Sequence, residues 1–306
     1  MTHAEFALLG TSWELALRAD GYSDSTVRSY RQAVASLAAW LDETGQGDIG
    51  PADLGRDHIR GWLVHRRESA SSSTARAGFS GVRRFCRFLV EEGEAARDAT
   101  QGIRTPAAGD PETPVLSVED LRRLLATCAG QDFVSRRDTA IILLFVDGGL
   151  RRSELAGLQV ADVDLAGRIV YVAGKGSRRS GPRHRAVPVG VKTARALDRY
   201  LRERRRHPDA DSSALWLGGR GRPLLSDSGV EKMLERRGEL AGLKGLHAHV
   251  FRHTWASQFR SAGGNEGDLM VLGGWRSRAM LDRYGKAQAG DRAAEAARRL
   301  SLGDRL

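Results

Sequence analysis

The chain is short of several things, and each shortage removes a class of protein. Its 306 residues include two cysteines, Cys86 and Cys128. Two are too few for a disulfide scaffold, and they suit a reducing compartment. The longest strongly apolar stretch, residues 140–146, falls far short of the roughly 20 residues a bilayer-spanning helix needs. The N-terminus has no basic segment followed by an apolar one, so no secretory signal is expected. Lysine is scarce, with only Lys175, Lys192, Lys232, Lys244 and Lys286. What is present is abundant arginine and 41% apolar residues. That is too apolar for a disordered chain, and the length allows two domains, each with a core. The expectation is a soluble, cytoplasmic protein with no membrane contact.

The formal charge is +10, and it is unevenly spread. Residues 1–105 carry 13 basic and 14 acidic side chains, residues 106–306 carry 35 and 24. A net charge near −1 in the first part and +11 in the second points to a polyanionic partner for the second. A GC-rich coding bias towards arginine gives the plainer account of composition alone.

Apolar spacing organises the first hundred residues into helices. Val27, Tyr30, Val34, Leu37 and Leu41 recur every three or four positions, as do Phe79, Val82, Cys86 and Leu89. Ser23 or Ser25 can cap the first helix and the serines at 71–73 the second. Shorter helices are expected near 4–18 and 57–67, giving a four-helix bundle. Between 71 and 90 lie Arg76, Arg83, Arg84 and Arg87 with no acid. They are either phosphate contacts or a solvated helix face. Residues 102–114, with three prolines and two glycines, read as a linker. Ser117-Val-Glu-Asp120 then resembles a capping box. The expected organisation is therefore a helical domain at 1–101, a linker at 102–114 and a second domain at 115–306.

The second domain is expected to be helical with a small sheet. An apolar helix at 139–147 ends at Gly148-Gly149, a C-terminal cap. Strand character at 169–172 and 186–189 flanks a polar, arginine-rich loop, as in a long-tipped hairpin. Further helices are expected near 191–206, 226–241, 250–262 and 266–273, before Tyr284, and in the tail at 291–300.

Four clusters carry candidate chemistry. Gly-Leu-Arg151-Arg-Ser-Glu154-Leu at 149–155 places a guanidinium where one helix stops and another starts, a geometry that suits an anion. Taken alone, a surface Arg–Glu pair is the plainer account of it. Gly-Lys175-Gly lacks the GxxxxGK[ST] frame of a nucleotide-binding loop, and a lysine on a hairpin tip is ordinarily solvated. His249-Val-Phe-Arg252-His253-Thr254 puts His249 and Arg252 on one helix face. His249 and His253 are four apart but enclose no glutamate, so this is not a HExxH zinc motif. No metal site is expected. Finally, Tyr284 follows Trp275 by nine residues.

In order and spacing, Arg151, Lys175, His249-x-x-Arg252, Trp275 and Tyr284 resemble the catalytic set of the tyrosine recombinases, the phage integrase family. The match includes Gly-Leu-Arg-x-Ser-Glu-Leu, the hairpin lysine before Val187-Pro188, and His-x-x-Arg-His-Thr. It spans almost the whole chain, because residues 5–95 also look like the family's helical core-binding domain. Three features depart from the pattern. The loop after Lys175 is longer than usual, Gly273 stands where a larger apolar residue is common, and Trp275 replaces the commoner histidine.

The resemblance implies a mainly α fold with a small β-sheet: a SAM-like helical bundle followed by an α+β catalytic domain. It implies a DNA recombinase, integrase-like or Xer-like, working without metal, ATP or other cofactor. Tyr284 would form a covalent 3′-phosphotyrosine, and Arg151 and Arg252 would stabilise charge on the phosphate. His249 would move the phenolic proton and Lys175 would protonate the departing 5′ oxygen. Trp275 would donate its indole N–H or pack against the tyrosine's helix. Glu154 would orient Arg151 or His249, and His253 is assigned a supporting position. The implied partner is double-stranded DNA bearing a specific site, clamped by the two domains. The implied assembly is a homotetramer on two duplexes that is a monomer or weak oligomer when free, with a tail helix docking on a neighbour. A type IB topoisomerase, or a DNA-binding protein without catalysis, are the competing readings.

Overall fold

Ser23 and Ser71 each accept a hydrogen bond from the backbone N–H three residues on, and each opens a 20-residue helix. These caps satisfy amides that have no partner inside the helix. The computed structural model describes residues 2–107, 113–174, 183–219, 223–275, 277–281, 294 and 297–298. It separates into two units, Met1–Pro111 and Glu112–Leu306.

The first unit contains α1 (Thr2–Ala19), α2 (Asp24–Glu43), α3 (Arg56–Ser69) and α4 (Ser72–Glu91). Val27, Val34, Leu37 and Leu41 of α2 and Phe79, Val82, Cys86 and Leu89 of α4 are all buried. With Trp13, Leu17, Ile59, Trp62 and Phe85 they form one core. Each large side chain removed from water there is worth about 1.5–3 kcal/mol. Gly81 lets α4 approach α2 closely: a Cβ at this position would lie 3.1 Å from Tyr30 Cα. Burial pushes the Cys86 thiol up to about 12, which marks it as a packing residue.

The second unit opens with α5 (Val118–Ala126), started by a reciprocal capping box between Ser117 and Asp120. Then follow α6 (Phe133–Gly148), α7 (Arg152–Ala156), β1 (Val163–Asp164), β2 (Ile169–Gly174), β3 (Arg183–Pro188), α8 (Val191–Arg204), α9 (Asp227–Leu240), α10 (Ala248–Ser261), α11 (Glu266–Gly273) and α12 (Arg278–Leu281). The sheet is antiparallel in the order β1-β2-β3, with Val170 opposite Val187 and Val172 opposite Arg185. The fold is thus mainly α with a small sheet, as the sequence implies.

Two elements differ from expectation. Helix α6 starts six residues earlier than its apolar run, because the Asp132 carboxylate receives the Ser135 N–H and hydroxyl. The hairpin gains a third, two-residue strand, β1. Most of the tail at 291–300 lies outside the described residues.

Helix α6 is the centre of the second core. Ala140, Ile141, Ile142, Leu144 and Phe145 have no exposed surface, because α8, α10 and β3 pack around them. In its N-terminal half α6 buries a charge: Asp138 receives the buried guanidiniums of Arg137 and Arg237, and Arg236 reaches it from the surface. Arg237 also donates to the Thr127 carbonyl, and Arg137 to that of Leu217. Near the C-terminal end of α6, Asp147 accepts from Gly190 N–H and the Thr193 hydroxyl, fixing the start of α8.

Candidate active site

Two adjacent glycines set the site's geometry. A Cβ at Gly148 would lie 2.3 Å from Leu150 Cδ1, and one at Gly149 would lie 2.2 Å from Trp255 Cε3. Gly149 also has φ of 51°, the left-handed region that glycine tolerates. The chain can therefore stop α6, turn Leu150 into the core and place Arg151 as the N-cap residue just before α7. Arg151 N–H donates to Glu154 Oε2 at 2.8 Å and its Nη1 to Oε1 at 2.6 Å. Its Nη2 reaches the Gly274 carbonyl at 3.2 Å.

Arg252 approaches the same place from α10. It is 3% exposed. Its Nη1 donates to the Gly149 carbonyl at 2.7 Å and its Nη2 to the Gly273 carbonyl at 2.5 Å. The two arginines therefore bond to the carbonyls of consecutive residues at the end of α11. The Arg252 guanidinium also lies 4.2 Å from the centre of a Trp275 ring, a cation–π contact. Trp275 stacks on Trp255 with ring centres 5.9 Å apart. A Cβ at Gly273 would lie 2.3 Å from Trp275 Cζ3. The two sequence departures are thus one steric arrangement, in which the missing side chain at 273 makes room for the indole.

Glu154 is the anionic partner of the site. Its side chain is 5% exposed. Burial pushes its carboxyl up, but hydrogen bonds and charge from Arg185, together with Arg151, outweigh this and hold it below the usual carboxylate value. Arg185 is the residue that motif reading missed. From β3 it donates Nη1 and Nη2 to the two Glu154 oxygens, at 3.1 and 2.8 Å, and Nε to the Leu272 carbonyl at 2.8 Å. The available signal was strand alternation, which places Arg185 on the inward face with Val187 and Val189.

His249 is exposed on the first turn of α10, its ring nearly parallel to that of His247 with centres 6.4 Å apart. His253 is buried one turn later. Next to it, the Thr254 hydroxyl accepts the Leu116 N–H. Lys175 and Tyr284 lie outside the described residues. Among the described residues no group of three or more His, Cys, Asp or Glu side chains is arranged to hold a metal ion, and no described helix is long and apolar enough to cross a membrane.

The arginines of α4 have mixed fates. Arg83 bonds to Thr105 and the Ile103 carbonyl and covers Phe79. Arg84 pairs with Asp20, and Arg87 lies 3.9 Å from Asp98. The helix carries no acid among these residues, yet acids from elsewhere in the unit meet two of its arginines. Arg76 is exposed and has no ion-pair partner among the described residues.

The phage integrase family matches residues 114–290, and the N-terminal SAM-like domain of phage integrases matches residues 11–93. The tyrosine recombinase XerC of Azotobacter vinelandii is 34% identical over 236 residues, 77% of this chain and 76% of that protein. The tyrosine recombinase XerD of Pseudomonas aeruginosa is 32% identical over 255 residues, 82% of each. Among solved structures, a Tn1549 transposon integrase in complex with circular intermediate DNA matches with a TM-score of 0.73 at 18% identity, over 96% of this chain and 99% of that one. A lambda integrase dimer bound to a core site matches with a TM-score of 0.70 at 16% identity, over 92% of this chain and 77% of that one.

Proposed function

We infer the function from a premise: the chain belongs to the phage integrase family of tyrosine recombinases. It is a DNA strand-transfer enzyme that carries out site-specific recombination. We propose further that Tyr284 is its nucleophile and that Arg151 and Arg252 hold one scissile phosphate. The convergence of those two guanidiniums on the consecutive carbonyls of Gly273 and Gly274 carries this reading.

The chemistry follows from the difficulty of the reaction. A phosphodiester anion repels a nucleophile, and its alkoxide leaving group is poor. Two fixed guanidiniums offset the charge that grows on the non-bridging oxygens. The Tyr284 phenol, ordinarily with a pKa of about 10, gives its proton to His249 as its oxygen bonds to phosphorus. The bond from phosphorus to the 5′ oxygen breaks, and Lys175 protonates that oxygen. A 3′-phosphotyrosine and a free 5′ hydroxyl result. Because the bond energy is kept in the phosphotyrosine, a 5′ hydroxyl from another strand reverses the step without ATP. The Arg252 guanidinium rests on the face of the Trp275 indole, which braces it. In this reading residues 1–101 form a helical DNA-binding domain, 102–114 link it to the catalytic residues at 115–306, and four subunits act on two duplexes in the cytoplasm. Similarity to XerC and XerD over more than three quarters of the chain favours strand exchange over topoisomerase-like relaxation of one duplex.

The test is a nicked suicide duplex carrying a site selected from a random library by binding. The wild-type protein is expected to form a denaturation-resistant adduct, with or without chelator, and Tyr284→Phe none. An adduct that persists in Tyr284→Phe removes the nucleophile assignment.

A further inference from the structure

Resting on that reading of the site, we propose that Arg185 is a positioning residue for strand cleavage: it takes up the charge of Glu154 so that the charge of Arg151 remains available to the scissile phosphate.

Among the described residues, the site holds one buried carboxylate, Glu154, and two arginines that contact it. Arg151 uses one side-chain N–H and its backbone N–H on Glu154, whereas Arg185 uses two guanidinium nitrogens, one on each oxygen. Exposure separates their tasks. The Arg185 side chain is 11% exposed and that of Arg151 is 38% exposed. The buried arginine is fixed to the protein, while the other still faces the surface from which DNA must come. Arg185 is also tied by Nε to the Leu272 carbonyl. Three arginines thus bond to the carbonyls of residues 272, 273 and 274, and only Arg185 faces Glu154 with its whole fork. Without Arg185, Arg151 would be the remaining cationic partner of Glu154 among the described residues. Their attraction in a poorly hydrated site would oppose transfer of that guanidinium to a phosphate.

The charge logic separates this role from simple packing. If Arg185 preserves Arg151 for an anionic phosphate, its loss should matter little when the phosphate carries no charge. Single-turnover cleavage is measured on suicide DNA with an ordinary scissile phosphate and on the same DNA with a neutral methylphosphonate there. Arg185→Met is expected to slow cleavage of the phosphodiester roughly 10- to 100-fold, the loss seen when a residue that orients a metal ligand is removed. On the methylphosphonate it should slow cleavage less than about threefold, with DNA affinity kept throughout. Adding Glu154→Gln to Arg185→Met should recover part of the phosphodiester rate, because no buried anion then competes for Arg151. Arg185→Lys, which keeps the charge without the fork, covers the case in which the methionine variant does not fold. It should show the same substrate dependence with a smaller loss. Equal slowing on both substrates, or no slowing on either, overturns the proposal. If the wild-type protein forms no adduct that depends on Tyr284, the recombinase assignment of the site fails first, a result distinct from a change confined to the Arg185 variants.

Discussion

In the N-terminal unit Arg84 and Arg87 meet acids at the surface, whereas in the C-terminal unit Arg137, Arg204, Arg237 and Arg252 are buried and bonded to a carboxylate or to backbone carbonyls. The residue type is the same and the physics is not. A surface guanidinium in a single pair is held by about 0–1 kcal/mol and can exchange its partner for a phosphate. A buried guanidinium with several hydrogen bonds has its direction fixed before any ligand arrives. Phosphate contacts of the first kind suit affinity and register on DNA. Those of the second kind suit a transition state, where preorganisation counts.

That contrast can be broken most forcefully at Asp138. Asp138→Ala leaves Arg137 and Arg237 buried without their carboxylate and is expected to destabilise the second unit by about 3–5 kcal/mol, read as a fall in the urea midpoint. A change under about 1 kcal/mol would mean that burial does not distinguish these arginines. Next in size is Gly273→Ala. Its Cβ would meet the Trp275 ring, and overpacking of this kind costs about 1–3 kcal/mol. Strand cleavage should fall with it, since the indole and the Arg252 guanidinium move together.

A smaller effect is expected in acid. The folded-state pKa of Glu154 lies below its ordinary value of 4.5, so its contribution to stability is present above that value and is lost as pH falls through the lower, folded value. Thermal unfolding followed below pH 4.5 should show a stability loss that Glu154→Gln lacks. An identical acid limb in both proteins would contradict the pairing described here. The smallest effect belongs to the N-terminal unit, where Arg84→Ala should change stability by no more than about 1 kcal/mol. If Arg84 contacts phosphate, its DNA affinity should fall with a shallower salt dependence.

Which of these features could be read from sequence follows from how local they are. The faces of α2 and α4 were legible because Val27, Val34, Leu37 and Leu41, or Phe79, Val82, Cys86 and Leu89, repeat within one helix. The caps at Ser23, Ser71 and Ser117 were legible because the capping hydroxyl and the N–H that donates to it lie three residues apart. Arg151 and Arg252 were singled out by local motifs, although nothing local shows that they meet at the end of α11. Arg185 stayed hidden among the arginines of a polar hairpin, because its partners Glu154 and Leu272 lie 31 and 87 residues away. The early start of α6 was missed because its first turns are rich in charge, and only the fold shows that Asp138 is paired. The unit-wide pairing of Arg84 with Asp20, 64 residues apart, escaped notice for the same reason.

The most direct measurement is a structure of the Tyr284→Phe protein on duplex DNA carrying its selected site. The account predicts that Arg151 and Arg252 donate to non-bridging oxygens of a single phosphate, with the residue 284 ring opposite its 5′ oxygen. Guanidiniums resting on two different phosphates, or an Arg252 still turned wholly to the carbonyls of Gly149 and Gly273, would contradict it.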